Sequence, residues 1–122
     1  MKFLAILGVS LMLALSGGAA SAADAGKGAK VFKKCKACHA LKAGKKKVGP
    51  SLHGIFGQEA AKMKGFKYSK AMKKSGVTWD EATLDAFLTK PKKFMKGTKM
   101  AFAGLKKKKD RDNIIAYLKT IK

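Results

Sequence analysis

The sequence predicts an all-α domain of about four short helices joined by long loops. Three observations carry that prediction. Apolar residues recur at helical rather than strand spacing, capping signals open or close the candidate helices, and no segment shows the apolar–polar alternation of a half-buried strand. At 122 residues the chain is sized for one domain. Twenty-eight Lys+Arg against seven Asp+Glu give a net charge of +21, yet 47% of residues are hydrophobic, too many for a chain kept disordered by composition. Two cysteines cannot build the multi-bridge framework of a small secreted scaffold, and no apolar run approaches the ~20 residues needed to span a bilayer.

Residues 1–22 read as a secretory signal peptide, with Lys2 as the positive start, an apolar run from Phe3 to Leu15, and a small-residue end at Ala20-Ser21-Ala22. Cleavage after Ala22 leaves residues 23–122 as the exported domain, with 27 basic against seven acidic residues, a net charge of +20. Within it, Val31, Phe32, Cys35 and Cys38 recur at helical spacing between lysines, which predicts an amphipathic first helix from Lys27 to His39. A second short helix is expected from Ser69 to Ser75, stopped by Gly76. Thr78-Trp79-Asp80-Glu81 reads as a capping box opening a third, whose inward stripe is Leu84, Phe87 and Leu88 and which Pro91 ends. The last helix starts near Asp110, whose carboxylate suits the positive helix end, and buries Ile114, Ile115, Leu118 and Ile121.

Between the first two helices, Ala40 to Tyr68 is glycine-rich and has little helical period. A loop of that length inside a compact domain needs something to wrap. Four short helices also supply a thin core, so one large buried cofactor accounts for both features.

The chemistry that names the cofactor is Cys35-Lys36-Ala37-Cys38-His39. Positions i, i+3 and i+4 of a helix share a face, so both thiols and the imidazole point one way. Cys-x-x-Cys-His is the attachment signal of c-type haem, with thioethers from Cys35 and Cys38 and His39 on the iron. Three other readings fit less of the chain. A thioredoxin-like dithiol wants a strand-helix-strand setting, a zinc site of Cys35, Cys38, His39 and His53 lacks finger spacing, and a plain disulfide leaves His39 and the long loop unexplained. For the sixth ligand the chain offers His53, Met63, Met72, Met95 and Met100. Position favours Met100, which follows Gly97-Thr98-Lys99 in a stretch beyond Pro91 where a helix does not continue. His/Met ligation gives a comparatively high potential and closes the iron to substrates, leaving one-electron transfer.

Cys35 to His39, Gly49-Pro50-Ser51-Leu52-His53-Gly54, Gly65-Phe66-Lys67-Tyr68-Ser69, Gly76-Val77-Thr78-Trp79, Pro91-Lys92-Lys93-Phe94 and Gly97-Thr98-Lys99-Met100-Ala101-Phe102 resemble class I cytochrome c in residues, order and spacing. The likeness covers Gly26 to Lys122 and is nearest the bacterial periplasmic branch related to mitochondrial cytochrome c. It implies Cys35 and Cys38 as covalent anchors of one haem, His39 and Met100 as axial ligands, and a Pro50 carbonyl that orients His39. It also implies that Tyr68 and Trp79 bond a haem propionate, that Thr98 borders the propionates, that Phe102 flanks the haem edge, and that His53 is structural. Gly28, Phe32, Ile114 and Tyr117 match the positions at which the family's first and last helices cross.

The chain departs from the family pattern at Lys96, Gln58, Phe87 and Met72, where proline, arginine, tyrosine and asparagine are common. Losing the proline loosens the loop, and Lys92, Lys93, Lys96 and Lys99 surround it with nitrogen donors, so weakened Met100 ligation is expected.

Twenty-seven of the basic residues are lysine and only Arg111 is arginine, a choice of hydrated point charges over rigid forks that suits steering more than tight docking. Lys33, Lys34 and Lys36 beside the attachment motif, with Lys92, Lys93, Lys96 and Lys99 beside Met100, form a positive ring for an acidic redox partner met transiently. Anionic lipid headgroups would attract the same charge. Nucleic acid is excluded as a partner by export, by scarce arginine and by the lack of aromatics among the lysines. The expectation is a periplasmic, monomeric electron shuttle. The alternative is a haem enzyme or sensor, peroxidase-like, whose sixth position is open or held by lysine.

Overall fold

Asp24 opens the first helix: its carboxylate accepts from the Lys27 amide (3.1 Å), and α1 runs over Ala25–Val31. The backbone then tightens into a 3-10 turn, Phe32–Lys34, that delivers the chain to Cys35. In this computed structural model residues 22–122 are described, so the expected signal peptide falls, apart from Ala22, outside the described residues.

Four further helices follow. Ser69 caps α2 (Lys70–Lys74) by accepting from the Met72 amide at 3.0 Å, and Gly76 at φ 62° turns the chain out of it. Helix α3 spans Glu81–Thr89, α4 Pro91–Phe94 and α5 Lys108–Lys119. Among the described residues the only β pairing is an isolated antiparallel bridge, Glu59 with Thr78. Around it, Gly57 N–H donates to the Trp79 carbonyl (2.6 Å), Trp79 N–H to Gln58 (2.9 Å) and Ala60 N–H to Val77 (2.7 Å), which fixes Trp79 against the core.

The helices pack α1 on α5 and α3 on both α4 and α5. Gly28 makes the first contact possible, because a Cβ there would lie 2.0 Å from the Asn113 carbonyl oxygen. Beside it, Phe32 and Tyr117 pack ring against ring at 5.8 Å, and Asp24 N–H donates to Asn113 Oδ1 (2.8 Å). The core joins Phe32 to Trp79, Leu84, Phe87, Leu88, Met95, Leu105, Ile114, Ile115 and Leu118.

Four local expectations need correcting. The first helix does not reach His39: the α turns end at Val31 and the cysteines lie on a turn. Even so, His39 N–H donates to the Cys35 carbonyl (2.9 Å), a helix-like i to i−4 bond. The capping box lies two residues later than expected, at Asp80 and Thr83, since the Asp80 carboxylate reaches the Thr83 amide (2.9 Å) while the Thr83 hydroxyl accepts from the Asp80 amide (2.9 Å). Glu81 is free to pair with Lys119 on α5. Pro91 opens α4 instead of merely ending α3, because its fixed φ and missing N–H suit a first helical position. Ile121 is only half-buried, beyond the end of α5.

Candidate cofactor site

A cavity of about 630 Å³ opens between these elements, within the roughly 300–1,000 Å³ usual for cofactor sites. Cys35, Cys38 and His39 line it on one segment, Pro50 on the next, and Thr98, Met100 and Phe102 on the loop between α4 and α5. Tyr68 and Trp79 also border it, over floor residues Leu84, Phe87, Leu88, Ile114 and Leu118.

His39 is the best-defined polar group. Its Nδ1 lies 2.7 Å from the Pro50 carbonyl oxygen, and since a carbonyl only accepts, Nδ1 carries the proton and Nε2 keeps its lone pair. Burial is the largest influence on this imidazole and pushes its pKa below the ordinary histidine value; the Pro50 carbonyl opposes that, and the Lys47 charge adds to it. Burial thus favours the neutral ring, the form that binds a metal. Gly49 builds the cradle: its N–H donates to the Cys38 carbonyl (2.7 Å), and a Cβ there would come within 2.5 Å of His39 Cε1. Burial also raises the Cys35 thiol pKa, with Cys38 adding to the effect and Lys34 working against it.

Met100 is half-buried, and its amide donates to the Thr98 hydroxyl at 3.2 Å. Trp79 is 4% exposed and packs on Phe87 at 5.0 Å between centroids. The Tyr68 hydroxyl accepts from the Met63 amide (3.0 Å), which leaves its own proton to donate elsewhere. Met72 lines the cavity, whereas Met95 is buried in the core. His53 stands apart with Nδ1 3.2 Å from the Leu41 carbonyl oxygen, so it joins no zinc set with Cys35, Cys38 and His39. Among the described residues no cluster of His, Cys, Asp or Glu forms a metal site of its own.

The predicted lysines Lys33, Lys34, Lys36, Lys92, Lys93, Lys96 and Lys99 are all exposed, and Lys34 and Lys99 border the cavity. Two rim lysines were not legible beforehand. Lys46 donates to the Gly65 carbonyl (3.2 Å) and Lys47 to the Lys36 carbonyl (2.6 Å), so part of the run Lys45–Lys47 ties the segment before Gly49 to both neighbouring segments. Nothing in a lysine run distinguishes such bonds from a solvated face; the adjacent Gly49-Pro50 is the only signal.

The family model described as Cytochrome c matches residues 25–122. The chain belongs to the cytochrome c family. It is 48% identical over 121 residues to cytochrome c2 of Rhodomicrobium vannielii, covering 98% of this chain and 97% of that one. To cytochrome c of Arabidopsis thaliana it is 50% identical over 97 residues, covering 78% and 90%. The solved structure of cytochrome cH from Methylobacterium extorquens superposes with a TM-score of 0.76 at 50% identity, covering 80% of this chain and 98% of that one.

Cytochromes c carry one covalently attached c-type haem and are electron carriers, not enzymes, and this cytochrome is one of them. The cavity fits that group: a large apolar space, two thiols at its edge, and a neutral imidazole whose free nitrogen a carbonyl has selected. It is all-α as the sequence predicts, with five helices where about four were expected.

Proposed function

We propose that this cytochrome is an exported, periplasmic, monomeric carrier of single electrons whose haem is anchored by Cys35 and Cys38 and ligated by His39 and Met100. The observation that supports it most is the Pro50–His39 bond at 2.7 Å, beside two cysteines and across a cavity that Met100 also lines. When bound, haem supplies a one-electron iron couple. This chain's residues then do the rest. Pro50 and Gly49 fix the tautomer and plane of the His39 ring, and the carbonyl raises its basicity as a ligand. Trp79 and Tyr68 offer N–H and O–H donors at the cavity wall, suited to carboxylate groups of a cofactor. The apolar floor excludes water and lowers the local dielectric, which favours the less charged oxidation state.

Charge supports the choice of partner. Lysines around the rim favour encounter with an acidic redox complex and fast release, and the same face suits an anionic membrane surface. Among the described residues no helix is long and apolar enough to cross a membrane. The leader read at residues 1–22 supports export, and the family match begins at residue 25, just beyond it.

The peroxidase-like alternative keeps one supporting observation, the exposed Lys96 and Lys99 beside a half-buried Met100. Cyanide and carbon monoxide separate the two. A low-spin spectrum unchanged by either within minutes supports the carrier; rapid binding of either supports an open iron and ends the His/Met reading.

A further inference from the structure

In a chain whose other 27 basic residues are lysines, Arg111 is the exception, and among the described residues it is the buried one. It lies in α5 at 9% exposure, one turn from the helix start. Its Nε donates to Asp85 Oδ1 on α3 (2.7 Å), while Nη1 donates to the carbonyls of Leu105 (2.9 Å) and Lys106 (3.0 Å). Those carbonyls close the loop that carries Met100. A lysine places one ammonium on a flexible stem, whereas a guanidinium holds several donors in one plane at fixed directions. The three acceptors around Arg111 lie on two different elements, an arrangement suited to the fixed directions of the fork.

The loop has two anchored ends. At its start, buried Met95 accepts from the Thr98 amide (3.1 Å), and Thr98 accepts from the Met100 amide. At its far end Leu105 is 3% exposed and its N–H donates to the Leu88 carbonyl (2.7 Å). Gly104, at φ 111°, permits that approach: a Cβ there would fall 2.1 Å from the Thr89 carbonyl oxygen. Between the anchors, the backbone of residues 101–104 makes no hydrogen bond among the described residues. The position of Met100 therefore depends on how firmly each end is held.

We propose that Arg111, oriented by Asp85, is a positioning residue for Met100: its grip on Leu105 and Lys106 sets the slack of the ligand loop and thereby governs how readily the methionine leaves the iron. The inference rests on Met100 being the axial ligand. It distinguishes Arg111 from a residue that merely stabilises the helices, because loosening this end should affect ligand release more than it affects overall stability.

The probe is imidazole added to the oxidised holoprotein at fixed neutral pH, which competes with the methionine and reads loop opening. Compared are wild type, Arg111→Lys, Asp85→Asn, and Phe32→Leu as a destabilised control at the α1–α5 crossing. Wild type must first show the sulfur-to-iron absorption band; its absence removes the Met100 reading and the inference with it. Given that band, Arg111→Lys is expected to bind imidazole about tenfold more tightly than wild type, equivalent to about 1.4 kcal/mol, the scale of a weakened charged hydrogen bond. Asp85→Asn should shift the same way by less. Phe32→Leu should lose thermal stability with imidazole affinity unchanged. If both Arg111→Lys and Asp85→Asn bind imidazole as wild type does, or no more tightly than Phe32→Leu, Arg111 is structural only and the proposal fails. Should Arg111→Lys not fold, Asp85→Asn against Phe32→Leu decides.

Discussion

Replacing Gly28 by alanine sets two forces against each other with opposite signs. In a helix interior alanine is favoured over glycine by about 1 kcal/mol, so propensity alone predicts a more stable protein. The crossing predicts the reverse. The added Cβ would lie 2.0 Å from the Asn113 oxygen, 2.7 Å from the Asn113 carbonyl carbon and 2.7 Å from Tyr117 Cβ. Two of the three are backbone atoms, which cannot swing aside, so α1 and α5 must part by about 1.4 Å to restore a contact of 3.4 Å. Overpacking of that kind costs about 1–3 kcal/mol, and losing the Asp24–Asn113 hydrogen bond (2.8 Å) adds about 1. The net expectation is about 2 kcal/mol of destabilisation. For a domain near 100 residues this corresponds to a Tm lower by roughly 8–16 °C, read by thermal unfolding of the holoprotein. A Tm that stays put or rises would refute the reasoning, since the crossing would then have room the geometry denies.

Other expectations follow the same logic. Lys96→Pro should stabilise by about 0.4–1 kcal/mol and extend the sulfur-to-iron band to higher pH; Lys96 N–H makes no hydrogen bond among the described residues, and Met95, at φ −133° and ψ 89°, is already out of the helical region that a following proline disfavours. An unchanged or earlier loss of the band on alkaline titration would contradict this. Gly49→Ala should rotate His39 off the Pro50 carbonyl and change the reduction potential, so a potential equal to that of wild type would show the cradle to be soft. The Thr83 amide and then its hydroxyl hold the Asp80 carboxyl below its ordinary pKa. A depressed carboxylate stabilises above the unfolded value and loses that contribution as pH falls through the folded one, so Asp80→Asn should flatten the stability profile on the acid side. Identical acid profiles would contradict it. Electron transfer to an acidic partner should slow on the order of ten- to a thousandfold between about 0.01 M and 1 M salt, as the Debye length falls from about 30 Å to about 3 Å, and a flat salt dependence in stopped flow would remove the steering role.

Much of the site was legible because its chemistry is local. Cys35, Cys38 and His39 sit within one turn, and the Gly49-Pro50 pair that cradles His39 is itself a short motif. Helix positions are legible where a glycine stop or an apolar stripe is strong, as at Gly76 and along Ile114–Leu118. The misses share a cause. The helical spacing of the cysteines predicts a first helix running through them, but the α turns end where the chain bends toward the cavity. The cap moved from Thr78 to Asp80 because Thr78 is held in the bridge with Glu59, a long-range pairing that no local pattern announces. Helix α4 is four residues long, too short for a periodic signal. Arg111 could be noticed as the single arginine, but its partners lie in Asp85, Leu105 and Lys106, which only the fold brings together.

The measurement that tests the central claim most directly is an oxidised and reduced absorption spectrum of the protein purified from the periplasm, beside a denaturing gel stained for covalent haem. The account predicts haem that stays with the denatured chain, a sharp α-band on reduction and a sulfur-to-iron band on oxidation. Covalent haem without the sulfur band would contradict Met100 as the sixth ligand, and a gel without haem would contradict Cys35 and Cys38 as anchors.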